Sequence, residues 1–277
     1  MTSKINTLAL PDDALRDVAA RFVAARRECR PLPDYPGPIP PDLETAYRIQ
    51  DFAIELWAGD VRGWKVGRIP PEVENRFGID RIAGPIFAAT IHRPANGSDL
   101  AMPVFVPGFA AVEAEYVAVI GSDAPAGKFQ WSAAEAADMI ADLRIGLEIA
   151  SSPLASINAL GPAVVVSDFG NNAGLIVGRS IDNWRLRSLD SMQCDTYVDG
   201  EAVGQGGAFR LTGGFVRSVQ FLLELGAERG RPLKAGDVVA TGQTTGIHDV
   251  APGQKSCLDF GRDGRLECSF TAALPSH

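Results

Sequence analysis

The chain has 277 residues, of which 46% are hydrophobic and 22% are charged, as in an ordinary globular protein. Its formal net charge of −8 argues against nucleic acid as a partner, because nucleic-acid binding needs a basic face. No apolar run approaches the roughly 20 residues of a membrane span, so we expect no membrane partner. The 4 cysteines form no Cys-x-x-Cys pair and the N-terminus is not signal-like, which predicts free thiols in a reducing cytoplasm.

The N-terminal part of the chain is predicted to be helical. Apolar residues recur at helical spacing over residues 12–29 and again over 42–58, and a proline-rich linker over 31–41 separates the two patterns. Further along, strand-like runs become frequent, together with turns rich in glycine and proline. We therefore expect a small helical region over 1–62 and a strand-rich domain over 63–277.

The strand-rich part does not alternate strands with helices. Only two helices are predicted there, one over 132–142 that opens with a capping box and one over 216–228. This pattern argues against a Rossmann or TIM-barrel architecture and for an α+β fold built on a mixed or antiparallel β-roll. The predicted strands lie at 64–67, 85–90, 104–106, 111–120, 144–150, 162–167, 174–177, 196–202, 237–241, 256–260 and 265–270.

One predicted strand carries two carboxylates on the same face. Alternate residues of a strand share a face, so Glu113 and Glu115 point the same way. Both faces are otherwise largely apolar, which predicts a strand covered on both sides. Two carboxylates are costly there unless a positive charge compensates them, and a hard divalent cation takes oxygen ligands. The alternative is a strand near a sheet edge with two solvated acids.

Two further charged residues are candidates for the same site. Glu148 shares a predicted strand face with Gly146 and Ala150, so small neighbours leave room beside it. As a third carboxylate it suits one Mg²⁺ or Mn²⁺, and the alternative is a salt-bridged structural acid. Lys65 follows Trp64 between two glycines, and a lysine partly buried there would have a lowered pKa and act as acid or base. The alternative is an ordinary surface charge.

A glycine-rich loop is the candidate for binding substrate. Residues 241–246 combine glycines with the hydroxyls of Thr244 and Thr245. Backbone N–H and side-chain O–H groups in such a loop can reach an anion. The alternative is a turn that ends a strand. A Ser–His–Asp triad has no support, because the sequence has no Gly-x-Ser-x-Gly motif.

An ordered set of short segments resembles one enzyme family. They are AYRIQ at 46–50, GWKVG at 63–67, GID at 78–80, EAE at 113–115, LEI at 147–149, PLKAGDVV at 232–239 and TG at 241–242. In order and spacing these segments resemble the 2-keto-4-pentenoate hydratases and 2-oxohept-3-ene-1,7-dioate hydratases of the fumarylacetoacetate hydrolase superfamily, over about residues 42–270. The resemblance implies a mixed β-roll or sandwich of the fumarylacetoacetate hydrolase C-terminal type, with the strand-rich domain as the catalytic one.

The resemblance also implies roles for individual residues. It makes Glu113, Glu115 and Glu148 the ligands of Mg²⁺ or Mn²⁺. It makes Lys65 a catalytic acid or base, and Asp80 a catalytic residue on the substrate side. The implied reaction is metal-assisted addition of water to a small unsaturated 2-oxo acid, such as 2-hydroxypentadienoate, in the catabolism of aromatic compounds. Relatives form homo-oligomers, so we expect a homo-oligomer with the apolar N-terminal helices as a candidate interface.

A departure from the family pattern leaves alternatives open. After Glu148 the family continues with an Asp-Ser-Arg-like segment, whereas residues 149–153 of this chain read IASSP, without acid or arginine. One alternative is a 4-oxalocrotonate-type decarboxylase with the same metal site, and another is a catalytically silent homologue that binds keto acids. The resemblance also implies that the related fumarylacetoacetate-type hydrolases use a His–Glu pair in this part of the chain. The loop over 68–81 has Glu72 and Glu74 but no histidine, which argues against hydrolysis of a carbon–carbon bond.

Overall fold

The computed structural model of the protein describes residues 10–94 and 100–275. The first nine residues of the predicted helical region therefore lie outside the described residues. No helix in the described ranges is long and apolar enough to cross a membrane. The α-helices of these ranges are α1 (Asp12–Arg27), α2 (Leu43–Trp57), α3 (Pro71–Phe77), α4 (Ala133–Asp138), α5 (Pro162–Ser167) and α6 (Gly214–Glu228).

Two sheets form the body of the protein. The larger has the order β2-β1-β10-β5-β6-β7-β3, with β11 also paired to β5, and the smaller has the order β4-β13-β12-β8-β9. In chain order the strands are β1 (Val61–Arg68), β2 (Arg81–Phe87), β3 (Ile91–His92), β4 (Leu100–Val104), β5 (Phe109–Ile120), β6 (Ile140–Ser152), β7 (Asn172–Ser180), β8 (Gln193–Val198), β9 (Glu201–Gly207), β10 (Val238–Gln243), β11 (His248–Asp249), β12 (Lys255–Asp259) and β13 (Arg265–Ala272).

The larger sheet curls on itself. Four strands separate β2 from β7 in the sheet order, yet these two strands contact each other. One face of the sheet therefore becomes the inside of an incomplete roll. The other face packs on the helices and the smaller sheet, where the ring of Tyr116 meets that of Phe260 edge-on at 5.6 Å between centroids. The inner face carries a small apolar cluster of Ile86, Val117, Leu175, Val177, Val238 and Ala240.

The predicted α+β class is confirmed, and three element predictions are wrong. The β-branched run over 162–167 is helix α5 instead of a strand, because Pro162 occupies the first helical turn and the valines are buried all round. The helix predicted over 132–142 ends at Asp138, since Ile140 already pairs with β5. The strand predicted over 104–106 lies earlier, at β4. The division of the chain after residue 62 stays a prediction.

The two N-terminal helices pack on each other and on the larger sheet. Asp42 caps α2 as its carboxylate accepts a hydrogen bond from the Thr45 amide at 2.8 Å. The apolar faces of both helices are buried inside the chain, with Leu15, Phe22 and Ile49 at most 1% exposed. These faces are therefore not available as an interface between copies of the chain, so the expectation that the apolar N-terminal helices form such an interface is not supported.

A buried ion pair anchors α1 beside the end of β6. The Arg26 guanidinium donates to the Asp168 carboxylate, with Nη2 at 3.0 Å from Oδ2, and both side chains are at most 5% exposed. It also donates to the backbone carbonyls of Ser151 at 3.1 Å and Asn172 at 2.9 Å. The hydroxyl of Ser152 donates to the same carboxylate at 2.6 Å. An acid and an arginine thus lie beside the segment that follows Glu148, although neither belongs to it.

We expect Arg26→Gln to lower the free energy of unfolding by about 3–5 kcal/mol, because it leaves the Asp168 carboxylate buried without its cation. Urea denaturation of the metal-free protein measures the change. The matched control is Arg21→Gln on the same helix, whose ion pair with Asp17 is more than half exposed and which should change stability by less than about 0.5 kcal/mol. Equal effects of the two substitutions would contradict a dominant role for the buried pair.

Candidate active site

Three carboxylates meet inside the roll. The register between β5 and β6 places Glu113 opposite Glu148, and Glu115 follows two residues along on the same face. One carboxylate oxygen from each residue lies within 4.8 Å of the others. The side chains are buried, and β5 is an interior strand between β10 and β6. The alternative of a sheet edge with solvated acids is therefore wrong.

Burial of these acids disfavours their charged forms. Removal from water raises the pKa of Glu113 to about 7, although Lys65 opposes the shift, and the charge of Glu148 adds to it. The pKa of Glu115 is raised well above its usual value, first by burial and then by the charges of the other two acids. Metal-free protein consequently holds Glu113 and Glu115 in part protonated near neutral pH.

Lys65 supplies positive charge to the cluster. Its ammonium lies 3.3 Å from Glu148 Oε1 and donates to Asn171 Oδ1 at 3.1 Å. Burial lowers the pKa of Lys65, but the charges of the three glutamates outweigh burial, so its pKa is raised above the usual value for lysine. The expectation of a lowered pKa is wrong for the metal-free protein, as is the alternative of a surface charge.

Three polar groups surround the acids, and two of them, Asn171 and Asn172, are absent from the sequence-based prediction. Asn172 donates through Nδ2 to Glu148 Oε1 at 3.0 Å, and Asn171 accepts from Lys65. The amide of Gly242 donates to Glu115 Oε2 at 2.6 Å. The loop over 241–246 was predicted to offer its backbone N–H groups to an anionic ligand, whereas the Gly242 amide donates to a glutamate of the chain itself. Ligand binding by this loop stays a prediction. The two asparagines could have been noticed in the sequence, because they are adjacent polar residues between apolar runs.

The acids retain acceptor capacity that the described residues do not use. Glu115 Oε1 and Glu148 Oε2 are buried and have no hydrogen-bond partner among the described residues. Buried carboxylate oxygens without a hydrogen-bond partner are costly, and here three acidic side chains converge at one point. A donor set made only of carboxylates suits a hard divalent cation rather than zinc or copper. The residues present therefore fit a divalent metal ion.

The other predicted site residues have partners of their own within the chain. Asp80 is partly buried and forms an ion pair with Arg81. Thr244 is buried, and its hydroxyl donates to the carbonyl of Ala114 at 2.8 Å, between the two acids of β5. The hydroxyl of Thr245 lies 2.8 Å from that of Thr196. The two threonine hydroxyls thus already hold the loop against its neighbours, and a role in substrate binding stays a prediction.

Fold and site together define a class: a curled β-roll with a buried carboxylate cluster and a lysine on its inner face. The chain belongs to the fumarylacetoacetate (FAA) hydrolase family, whose C-terminal domain profile matches residues 87–271.

Named relatives share most of the chain's length. The 2-keto-4-pentenoate hydratase of Burkholderia vietnamiensis is 29% identical over 241 residues, which cover 83% of this chain and 87% of the relative. The TodF product hydratase of Pseudomonas putida is 27% identical over 246 residues, 84% of this chain and 85% of the relative. Among solved structures, the 4-oxalocrotonate decarboxylase from Pseudomonas putida G7, complexed with magnesium and adipate, superposes with a TM-score of 0.77 at 20% identity, over 94% of this chain and 98% of the other.

Metal-free protein should lose stability as the pH rises from about 4.5 to about 7. The pKa of Glu113 is about 7 in the folded state, against an ordinary value of 4.5. The folded state therefore binds more protons than the unfolded state in this window, so the free energy of unfolding falls with pH. Urea denaturation at several pH values in the presence of a chelator measures the fall.

Two comparisons control this pH experiment. Glu113→Gln cannot titrate at this position, so its stability should fall less steeply with pH. An excess of a divalent cation should oppose the fall, because binding requires deprotonated carboxylates. Equal slopes for wild type and Glu113→Gln would contradict the shifted pKa.

Proposed function

We propose that this chain is a metal-dependent hydro-lyase that adds water to a small unsaturated 2-oxo acid, such as 2-hydroxypentadienoate. The observation that carries the proposal is the buried cluster of Glu113, Glu115 and Glu148 beside Lys65. Family membership supports it, as do the names of the relatives, which are hydratases. The resemblance noted in the sequence places this reaction in the catabolism of aromatic compounds.

We propose Mg²⁺ as the metal, held by the carboxylates of Glu113, Glu115 and Glu148, with Mn²⁺ as the alternative. All three donors are hard oxygen ligands. The solved 4-oxalocrotonate decarboxylase with a similar fold was complexed with magnesium. When bound, such a cation supplies Lewis-acid stabilisation of negative charge that develops on a substrate oxygen.

Residues of the chain orient the proposed metal-binding carboxylates and supply the proton for the reaction. Asn172 and the Gly242 amide orient Glu148 and Glu115 by donating to one oxygen of each. Lys65 is protonated in the metal-free protein, and its ammonium is the proposed general acid for the substrate carbon skeleton. Once the charge of the carboxylates is compensated, they no longer hold this proton on Lys65, so the same group can also act as a base.

The apolar lining of the roll supports this chemistry by limiting water. Val117, Val238 and Ala240 are fully buried on the same inner face as the acids. In such surroundings charges interact more strongly than in bulk water. Asp80 is proposed to act from the substrate side, and Thr244 and Thr245 to shape the loop that faces the substrate.

A 4-oxalocrotonate-type decarboxylase is the second candidate. The similarity to the solved decarboxylase covers 94% of this chain. Product analysis distinguishes the two reactions, because only decarboxylation releases CO₂.

A catalytically silent keto-acid-binding homologue is the third candidate, motivated by the missing Asp-Ser-Arg-like segment. Metal binding without turnover of 2-hydroxypentadienoate or its dicarboxylate relatives would support that candidate.

We also propose that the chain acts as a homo-oligomer in a reducing cytoplasm. No disulfide joins the four cysteines, all of which lie in the described part of the chain. Since the apolar faces of α1 and α2 are buried within the chain, the interface would lie on other surfaces. Light scattering of the purified protein measures its state of assembly.

We expect Lys65→Ala to lower kcat by about 10²–10⁴-fold, the usual contribution of a positioned acid or base. Metal affinity, measured by calorimetry, should not fall, because the substitution removes a positive charge from beside the ligands. Lys65→Arg keeps the charge but holds its proton too tightly to transfer it, and it should also be slow. Wild-type turnover in either variant would exclude Lys65 as the proton-transfer group.

We expect Glu115→Gln to weaken metal binding by more than about 100-fold, the upper end of what losing an outer-shell partner costs. Glu201→Gln is the matched control, because Glu201 is exposed on β9. Calorimetric titration with Mg²⁺ compares the two variants. Unchanged affinity in Glu115→Gln would show that the metal site lies elsewhere.

A further inference from the structure

Three consecutive residues between α5 and β7 have left-handed backbone conformations. Phe169, Gly170 and Asn171 have φ values of +54°, +64° and +57°. Single glycines and asparagines adopt this conformation readily, but it is unfavourable for phenylalanine and rare as a run. Such a backbone persists only where the surrounding structure enforces it, and it occurs frequently at functional sites. The segment over 169–171 is therefore a candidate functional element.

This segment crosses β2 next to the lysine of the candidate site. Gly84 on β2 pairs with Lys65 on β1, and a Cβ added to Gly84 would collide with the carbonyl oxygen of Phe169. A Cβ added to Gly170 would lie 2.8 Å from Gly84 Cα and 3.1 Å from Lys65 Cδ. The two glycines thus allow a close contact between the two backbones, and the aliphatic stem of Lys65 lies directly beside that contact.

The side-chain amide of Asn171 holds the ammonium of this lysine. Its Oδ1 accepts a hydrogen bond from Lys65 Nζ at 3.1 Å, and both residues are at most 4% exposed. Glu148 Oε1 lies 3.3 Å from the same nitrogen. An ammonium carries three donors on a flexible stem, so a single carboxylate would leave it free to turn. Asn171 supplies a second fixed partner, and the left-handed segment brings its amide to this position.

Asn158 determines which end of the Asn171 amide faces the lysine. Asn171 Nδ2 donates to Asn158 Oδ1 at 3.1 Å. If the Asn171 amide were turned over, its NH₂ group would face the ammonium, and two donors cannot form a hydrogen bond with each other. Asn158 is exposed and lies in the loop between β6 and α5. A chain of hydrogen bonds thus runs from the surface through Asn158 and Asn171 to Lys65.

We propose that Asn171 is a positioning residue that fixes the Lys65 ammonium in one place beside the acid cluster, and that Asn158 holds the Asn171 amide in the required orientation. The consequence for catalysis rests on the proposed function, in which Lys65 transfers a proton to the substrate. A misplacement of about 1 Å can cost about 100-fold in rate. Among the described residues, the Asn171 side chain forms hydrogen bonds with Lys65 and Asn158 and with none of the glutamates. It should therefore affect proton transfer and not metal binding.

Asn171→Gly tests the inference, because glycine adopts the left-handed backbone without strain and removes the amide. In the proposed reaction kcat should fall by about 10–100-fold, while KM and the calorimetric affinity for Mg²⁺ stay at their wild-type values. Asn172→Ala is the matched comparison, because the Asn172 amide donates to Glu148. It should weaken Mg²⁺ binding by about 10–100-fold. An equal loss of Mg²⁺ affinity in the two variants would overturn the inference.

Asn158 allows a second test at an exposed position, where a substitution leaves the packed interior unchanged. Asn158→Ala should also lower kcat, because it releases the amide of Asn171. Asn158→Asp keeps an acceptor for Asn171 Nδ2 and should restore most of the activity. Ser156→Ala is the control in the same loop, since the Ser156 hydroxyl makes no hydrogen bond with the described residues. Wild-type kcat in Asn158→Ala, or equal losses in Asn158→Ala and Asn158→Asp, would overturn the role of Asn158.

A readout without turnover separates this inference from the proposed function. In metal-free protein carrying ¹³C at the lysine ε-carbons, a fixed Lys65 should give two distinct NMR shifts for its two ε-protons, because these protons lie in different surroundings. The signal is assigned by its absence in Lys65→Arg. Asn171→Gly should bring the two shifts together, because the side chain becomes free to turn. A single shift in wild type, or unchanged separation in Asn171→Gly, would overturn the inference. If wild type turns over none of the unsaturated 2-oxo acids, the proposed function fails, and the NMR shifts still decide whether Asn171 positions Lys65.

Discussion

The structure depends on placing three like charges in a space that excludes water. Glu113, Glu115 and Glu148 are each costly to bury when ionised, and their proximity adds mutual repulsion. The ammonium of Lys65 compensates one charge at most, so the cluster in isolation shifts toward protonated acids. A pH below neutral relieves this repulsion, and so would the divalent cation proposed for this site, because both remove negative charge from the buried carboxylates.

The surroundings of the cluster are built from distant parts of the chain. Asn172 orients Glu148, and the backbone of Asn172 is held by Arg26 from the N-terminal helix α1. The same guanidinium binds Asp168 and the carbonyl of Ser151. The segment after Glu148 therefore lacks the acid and arginine of the family pattern in sequence, but a buried acid–arginine pair lies against it in space. This pair connects α1 to the sheet that carries the candidate site.

The amino-acid sequence was enough to predict the α+β class, the acids of one strand face and the candidate lysine, because strand periodicity and buried charge are local properties. It also led to Glu148, through its small neighbours and the family resemblance. Tertiary structure alone decided that the valines before Ser167 form a helix, that Lys65 has a raised pKa, and that Arg26 and Asp168 flank the end of β6. Each of these depends on contacts between residues that are far apart in the chain. A local sequence pattern does not show which distant residues the fold brings into contact.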